Sequence, residues 1–146
     1  MGALILRALR LDWGAMRRRP KLDPLARQVL LEIAVGRIAI GVAAAAAPGP
    51  SLRKLGFPAT EGNQTLARIA GCRDIAVGLL TLAARDDRAR LRAVGTAAAG
   101  IDVGDTVAFA LAARDPALRR GGIGSSLSGA AAAVVGAWAL QRLGKR

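Results

Sequence analysis

The apolar and polar positions along the chain fall into four long apolar runs separated by short charged ones. The runs are residues 29–47, 66–84, 93–113 and 122–140, each 19 to 21 residues long. A helix rises ~1.5 Å per residue, so about 20 residues cross a hydrocarbon core of ~30 Å. The pattern therefore predicts an all-α fold, a four-transmembrane-helix bundle over residues 24–146. Boundary residues agree with it. Asp23-Pro24 is fit to cap and open the first helix, Pro48-Gly49-Pro50 to end it, and Asn63 to cap the second. Within PGPSLRKLGFPATEGN, a short surface helix at 51–55, stopped by Gly56, would lie over the outer mouth of the bundle.

Ahead of the first run, residues 1–23 read as a basic amphipathic arm. Leu4, Ile5, Leu6, Leu9 and Trp13 alternate with Arg7 and Arg10, a pattern that fits either an interfacial helix on the inner leaflet or a basic tail. A basic arm, an apolar run and AAAAAP also have the outline of a signal peptide, but Glu32 and Arg37 inside the run argue against cleavage.

Composition sharpens the membrane reading. The chain of 146 residues is 53% hydrophobic, yet aromatics make up only 3% and Tyr is absent, while Gly occurs 18 times. Soluble cores lean on aromatics for buried area, whereas helices in lipid use small residues to bring backbones close. The net charge of +12 could serve nucleic acid or an anionic membrane, and its placement decides between them. Fourteen basic residues precede the first run, separate the second from the third, or follow the fourth; five (Arg53, Lys54, Arg114, Arg119, Arg120) lie on the other side. Cytoplasmic loops retain Lys and Arg, so both termini are expected in the cytoplasm. Contact with anionic lipid then accounts for the charge, and no nucleic-acid partner is needed. With no His and a single Cys, the chain has no intrachain disulfide, no Cys/His zinc site, no His-ligated haem and no His proton carrier.

Five charges interrupt the apolar runs near their middles: Arg37 in the first, Arg73 and Asp74 in the second, Asp102 and Asp105 in the third. Antiparallel packing brings all five to one depth. A charge at mid-bilayer costs ~2.5–3.5 kcal/mol on insertion scales, so the five are expected to face one another as a buried polar layer. Asp102 and Asp105 share a face with Gly95, Ala98, Ala99 and Thr106, and Asp74 shares one with Ala67, Gly71, Gly78 and Thr81. Gly122, Ser125, Gly129, Ala132, Ala133 and Gly136 form an uncharged small-residue stripe on the fourth run. It is fit for close packing within the bundle or across a dimer. The layer has three readings: it fixes helix register, it holds a proton, ion or polar ligand, or it meets a partner membrane subunit. Cys72 reads as a small packing residue, Arg68 and Glu32 as snorkelling charges, and Trp138 and Phe109 as interface anchors. No catalytic residue and no metal-ligand set emerges.

GRIAIG in the first run, GCRDIAVG in the second and GIDVGD in the third resemble small bacterial four-helix membrane proteins. Those proteins are DoxX-like in build, and many are grouped only as a domain of unknown function. The resemblance spans about residues 29–143. It implies an association with quinone-linked or thiol-linked redox complexes, a role for which this chain supplies one Cys and no His. The reading these features favour is a non-enzymatic inner-membrane protein, an accessory or lipid- or quinone-binding component. A subunit of a membrane redox complex and a small proton, ion or solute transporter are the alternatives. Lipid is the expected partner, with a homo-oligomer or a partner subunit left open.

Overall fold

A computed structural model describes residues 22–144 as an all-helical fold with no strand among them. It has five helices: α1 (Pro24–Ala46), α2 (Pro48–Leu55), α3 (Glu61–Ala83), α4 (Arg88–Ala112) and α5 (Arg119–Gly144). The proposed arm at residues 1–21 lies outside the described residues, as do Lys145 and Arg146.

The helix ends follow from local chemistry. Asp23 caps α1, its carboxylate accepting from the backbone N–H groups of Leu25 (3.1 Å) and Ala26 (3.2 Å), and Pro24 occupies the first turn, where no N–H is required. The short helix begins at Pro48 rather than at 51 for the same reason. It ends at Gly56, whose φ of 83° is left-handed and favours glycine. The cap of α3 is Thr60, not Asn63: the Thr60 hydroxyl accepts from the Asn63 N–H, while the Asn63 amide turns back to donate to Pro58 O at 2.8 Å. Asp87 caps α4 in the same manner, accepting from the Arg90 N–H.

Three helices, α1, α4 and α5, are long and apolar enough to cross a membrane. The expected fourth, α3, matches α1 in length at 23 residues but carries Arg68, Arg73 and Asp74 in its middle, so composition alone does not place it with the others. Large apolar side chains cover much of the outside, among them Leu66, Leu127 and Val134. That is the reverse of a soluble bundle, in which such residues are sequestered.

The bundle consists of two antiparallel pairs. α1 lies along α3 at glycines: a Cβ added to Gly41 would stand 2.6 Å from Gly71 O, and one added to Gly78 would stand 2.7 Å from Ala34 O. α4 lies along α5 in the same way, with Gly122 against the backbone of Phe109 and Gly129 against Thr106. These contacts leave no room for a side chain, as small-residue helix contacts require. The pairs meet where α1 lies against α5, and Ala26, Leu30, Ala84, Leu91, Ala139 and Leu143, drawn from α1, the end of α3, α4 and α5, form a cluster at the end where α1 begins and α5 finishes. At the opposite end α2 crosses the bundle, Phe57 lying against Gly121 with its ring centroid 5.7 Å from that of Phe109. Phe109 is thus held by an aromatic neighbour, whereas Trp138 is partly exposed beneath the Arg142 guanidinium, 4.9 Å away. The fourth side, between α3 and α4, is the least closely packed.

Candidate functional site

The close glycine contacts between α1 and α3 set Arg37 beside α3, and its side chain then reaches across to α4. Arg37 donates from Nη1 to Asp74 Oδ1 at 3.0 Å and from Nη2 to Asp102 Oδ1 and, at 3.4 Å, to the carbonyl of Ala98. Arg73 binds Asp105 through both terminal nitrogens, Nη1 to Oδ1 at 3.0 Å and Nη2 to Oδ2 at 2.6 Å. Its Nη2 also donates to Asp74 Oδ1 at 3.5 Å. The five charges therefore form one chain of ion pairs, Asp102–Arg37–Asp74–Arg73–Asp105, that ties α1, α3 and α4 together at mid-length. The two-pronged Arg73–Asp105 pair has the geometry in which guanidinium and carboxylate bind most strongly.

Burial falls off along this chain. The Arg37 and Asp102 side chains are 10% and 12% exposed, whereas those of Arg73 and Asp105 are 36% and 31% exposed, opening on the loose side between α3 and α4. Both Nε atoms, of Arg37 and Arg73, are buried and meet no acceptor among the described residues. Three carboxylates face two guanidiniums, so the layer carries one negative charge in excess when all five are ionised. Beside Arg37 and Asp102 is a cavity of about 20 Å³, also bordered by Thr81, Gly95 and Gly136. That is room for a single water molecule.

The sequence pattern points to these five residues, and puts Thr106 on their face, but does not show how they are supported. The Ala98 carbonyl is a backbone acceptor that residue type does not reveal. The Thr106 hydroxyl donates to Asp102 O at 2.7 Å, and Ser126 of α5 donates to Thr106 O at 3.2 Å, so α5 braces the segment that carries Asp102. Hydroxyls spaced along the small-residue faces were the available signal. Cys72, expected as a packing residue, is exposed, because its position on α3 points away from both α1 and α4. Arg68 and Glu32 are exposed at the helix surface, Glu32 accepting from Gln28 at 2.9 Å. No cluster of metal-ligating side chains exists among the described residues.

A layer of this kind can hold helices in register or hold a polar guest. Together with the apolar outer surface, it defines the class: a small all-helical membrane protein with charged groups gathered inside. The chain matches the family described as "Domain of unknown function (DUF4267)" over residues 34–141, and it belongs to that family. That stretch contains the whole ionic layer and begins inside α1, leaving out the residues before 34. Neither the curated proteins nor the solved structures include a match.

Proposed function

We propose that this is a non-enzymatic, four-span protein of the bacterial inner membrane, with both termini in the cytoplasm. Its polar layer sets the register of the bundle and serves an accessory or lipid- or quinone-binding role. The observation that carries the reading is the continuous ion-pair chain across α1, α3 and α4. α3 joins the membrane spans in this reading because its two central charges are both paired toward neighbouring helices, which removes the chief cost of placing it in lipid. Removing one member of such a chain strands another in low dielectric, so the layer enforces one helix alignment even where apolar residues would be as stable.

The test is purification in mild detergent followed by mass spectrometry of co-purifying lipids, quinones and proteins. Stoichiometric quinone or lipid supports the binding role. A co-purifying partner with a redox centre would replace it with the redox-subunit reading suggested by the DoxX-like resemblance, and pH-dependent flux in liposomes would replace it with a transporter. Carbonate extraction tests the membrane assignment itself: protein recovered in the supernatant refutes it.

A further inference from the structure

The Arg73–Asp105 pair presents a conflict that the isolated chain does not resolve. It lies at the depth of the polar layer, about half of a ~30 Å core from either headgroup region, and about a third of each side chain is exposed. Lipid tails offer no hydrogen bonds, and lipid headgroups do not reach that depth. The surroundings of the pair are apolar and open. Leu66 and Leu80, seven residues before and after Arg73 on the same face of α3, are 66% and 58% exposed. On α4, Gly100 and Gly104 are exposed, and a Cβ built on either meets no atom within 4 Å. The small residues of α5 behave differently: Gly122 and Gly129 are already packed against α4.

We propose that the α3–α4 face is the contact surface of a homodimer, in which a second copy of the chain covers the Arg73–Asp105 pair. The inference rests on the membrane-spanning reading given above. Charge complementarity selects the occupant. One patch carries a guanidinium and a carboxylate side by side, so under a two-fold axis each Arg73 faces the partner's Asp105, and the surface is complementary to itself. Each pair is neutral, and joining two brings no net charge into the interface. Gly104, next to Asp105 in sequence, and Gly100, one turn before Gly104, are open on the outward side of α4 and let the second α4 approach to backbone distance.

The sole native cysteine makes the test clean. In a Cys72→Ala background, Gly100→Cys and Gly104→Cys are introduced singly, with Leu127→Cys on α5 as a control that is also well exposed. Membranes are then oxidised. Crosslinked dimers at positions 100 and 104 but not at 127 are expected. Equal crosslinking at all three positions would mean random collision and would overturn the proposal, as would crosslinks from 100 or 104 to a different protein. A second variant, Gly104→Leu, has space for its side chain in the single chain, so the monomer should fold while the wild-type dimer is lost in single-molecule photobleaching in bilayers. A wild-type protein that resists carbonate extraction yet is monomeric in bilayers would sink the dimer and leave the membrane reading standing. Protein released by carbonate would remove the reading on which the dimer depends.

Discussion

Gly129 and Gly136 lie two turns apart on the same stripe of α5, and sequence alone treats them as equivalent. Their surroundings differ. A Cβ on Gly129 would stand 2.7 Å from Thr106 Oγ1, a hydroxyl already committed to Asp102 O, whereas a Cβ on Gly136 meets nothing within 4 Å although the residue is buried. Gly136 borders the cavity beside Arg37 and Asp102, which explains the free space. Gly136→Ala is therefore expected to stabilise the protein by about 0.5–1 kcal/mol, through helix propensity and partial filling of that cavity. Gly129→Ala should destabilise it by about 1–3 kcal/mol through overpacking. Thermal unfolding of the two variants in the same detergent checks the pair of signs, and a common sign for both would contradict the packing described for α5.

Between elements, the polar layer makes its own ranking of substitutions. Arg37 is the shared partner of Asp74 and Asp102, so Arg37→Leu strands Asp102 in the buried end of the layer, leaves Asp74 with only its 3.5 Å contact to Arg73, and should be the most damaging single change, with a loss reaching ~3–5 kcal/mol. Arg73→Leu should cost less, because it strands Asp105 alone while Asp74 keeps its 3.0 Å bond from Arg37. In double-mutant cycles Arg73 should couple strongly to Asp105 and only weakly to Asp102, which it does not touch. Stability in detergent measures both cycles, and stronger coupling to Asp102 would refute the pairing. The sequence left this choice open because Asp102 and Asp105 share one helical face, and a helical wheel gives a direction without naming the neighbour. Helix limits were easier to read. Asp23-Pro24 and Gly56 act through local backbone geometry, and both behave as their types dictate. Thr60 was missed in favour of Asn63 because both are good caps three residues apart, and only the turn after Pro58 decides between them. The outward direction of Cys72 and the open glycines of α4 were likewise hidden, since each depends on which side of a helix has no neighbour.

For the molecule as a whole, the orientation in the membrane depends on residues at the ends of the chain. Within residues 22–144, the end bearing the termini has six basic residues in its connections: Arg27, Arg85, Arg88, Arg90, Arg92 and Arg142. The opposite end has five: Arg53, Lys54, Arg114, Arg119 and Arg120. Several of the first group are tied to neighbours, with Arg27 donating to Asp86 at 3.0 Å and to Arg85 O, and Arg88 donating to Leu143 O. The five at the α2 end have no carboxylate partner among the described residues, so every one is free to act as a retention signal or to meet lipid phosphate. The helical body by itself is thus almost symmetric in the charges that set topology, and the proposed orientation with cytoplasmic termini rests on Arg7, Arg10, Arg17, Arg18, Arg19 and Lys21, with Lys145 and Arg146. Removing residues 2–21 should therefore convert a single orientation into a mixture without unfolding the bundle. Reporters fused after Arg146 and inserted between α2 and α3 should report opposite sides in the full chain, with the C-terminal one cytoplasmic. In the truncated chain each reporter should be found on both sides. A truncated protein that keeps one orientation would show that the positive-charge difference in the helical body is sufficient and that the arm has some other role.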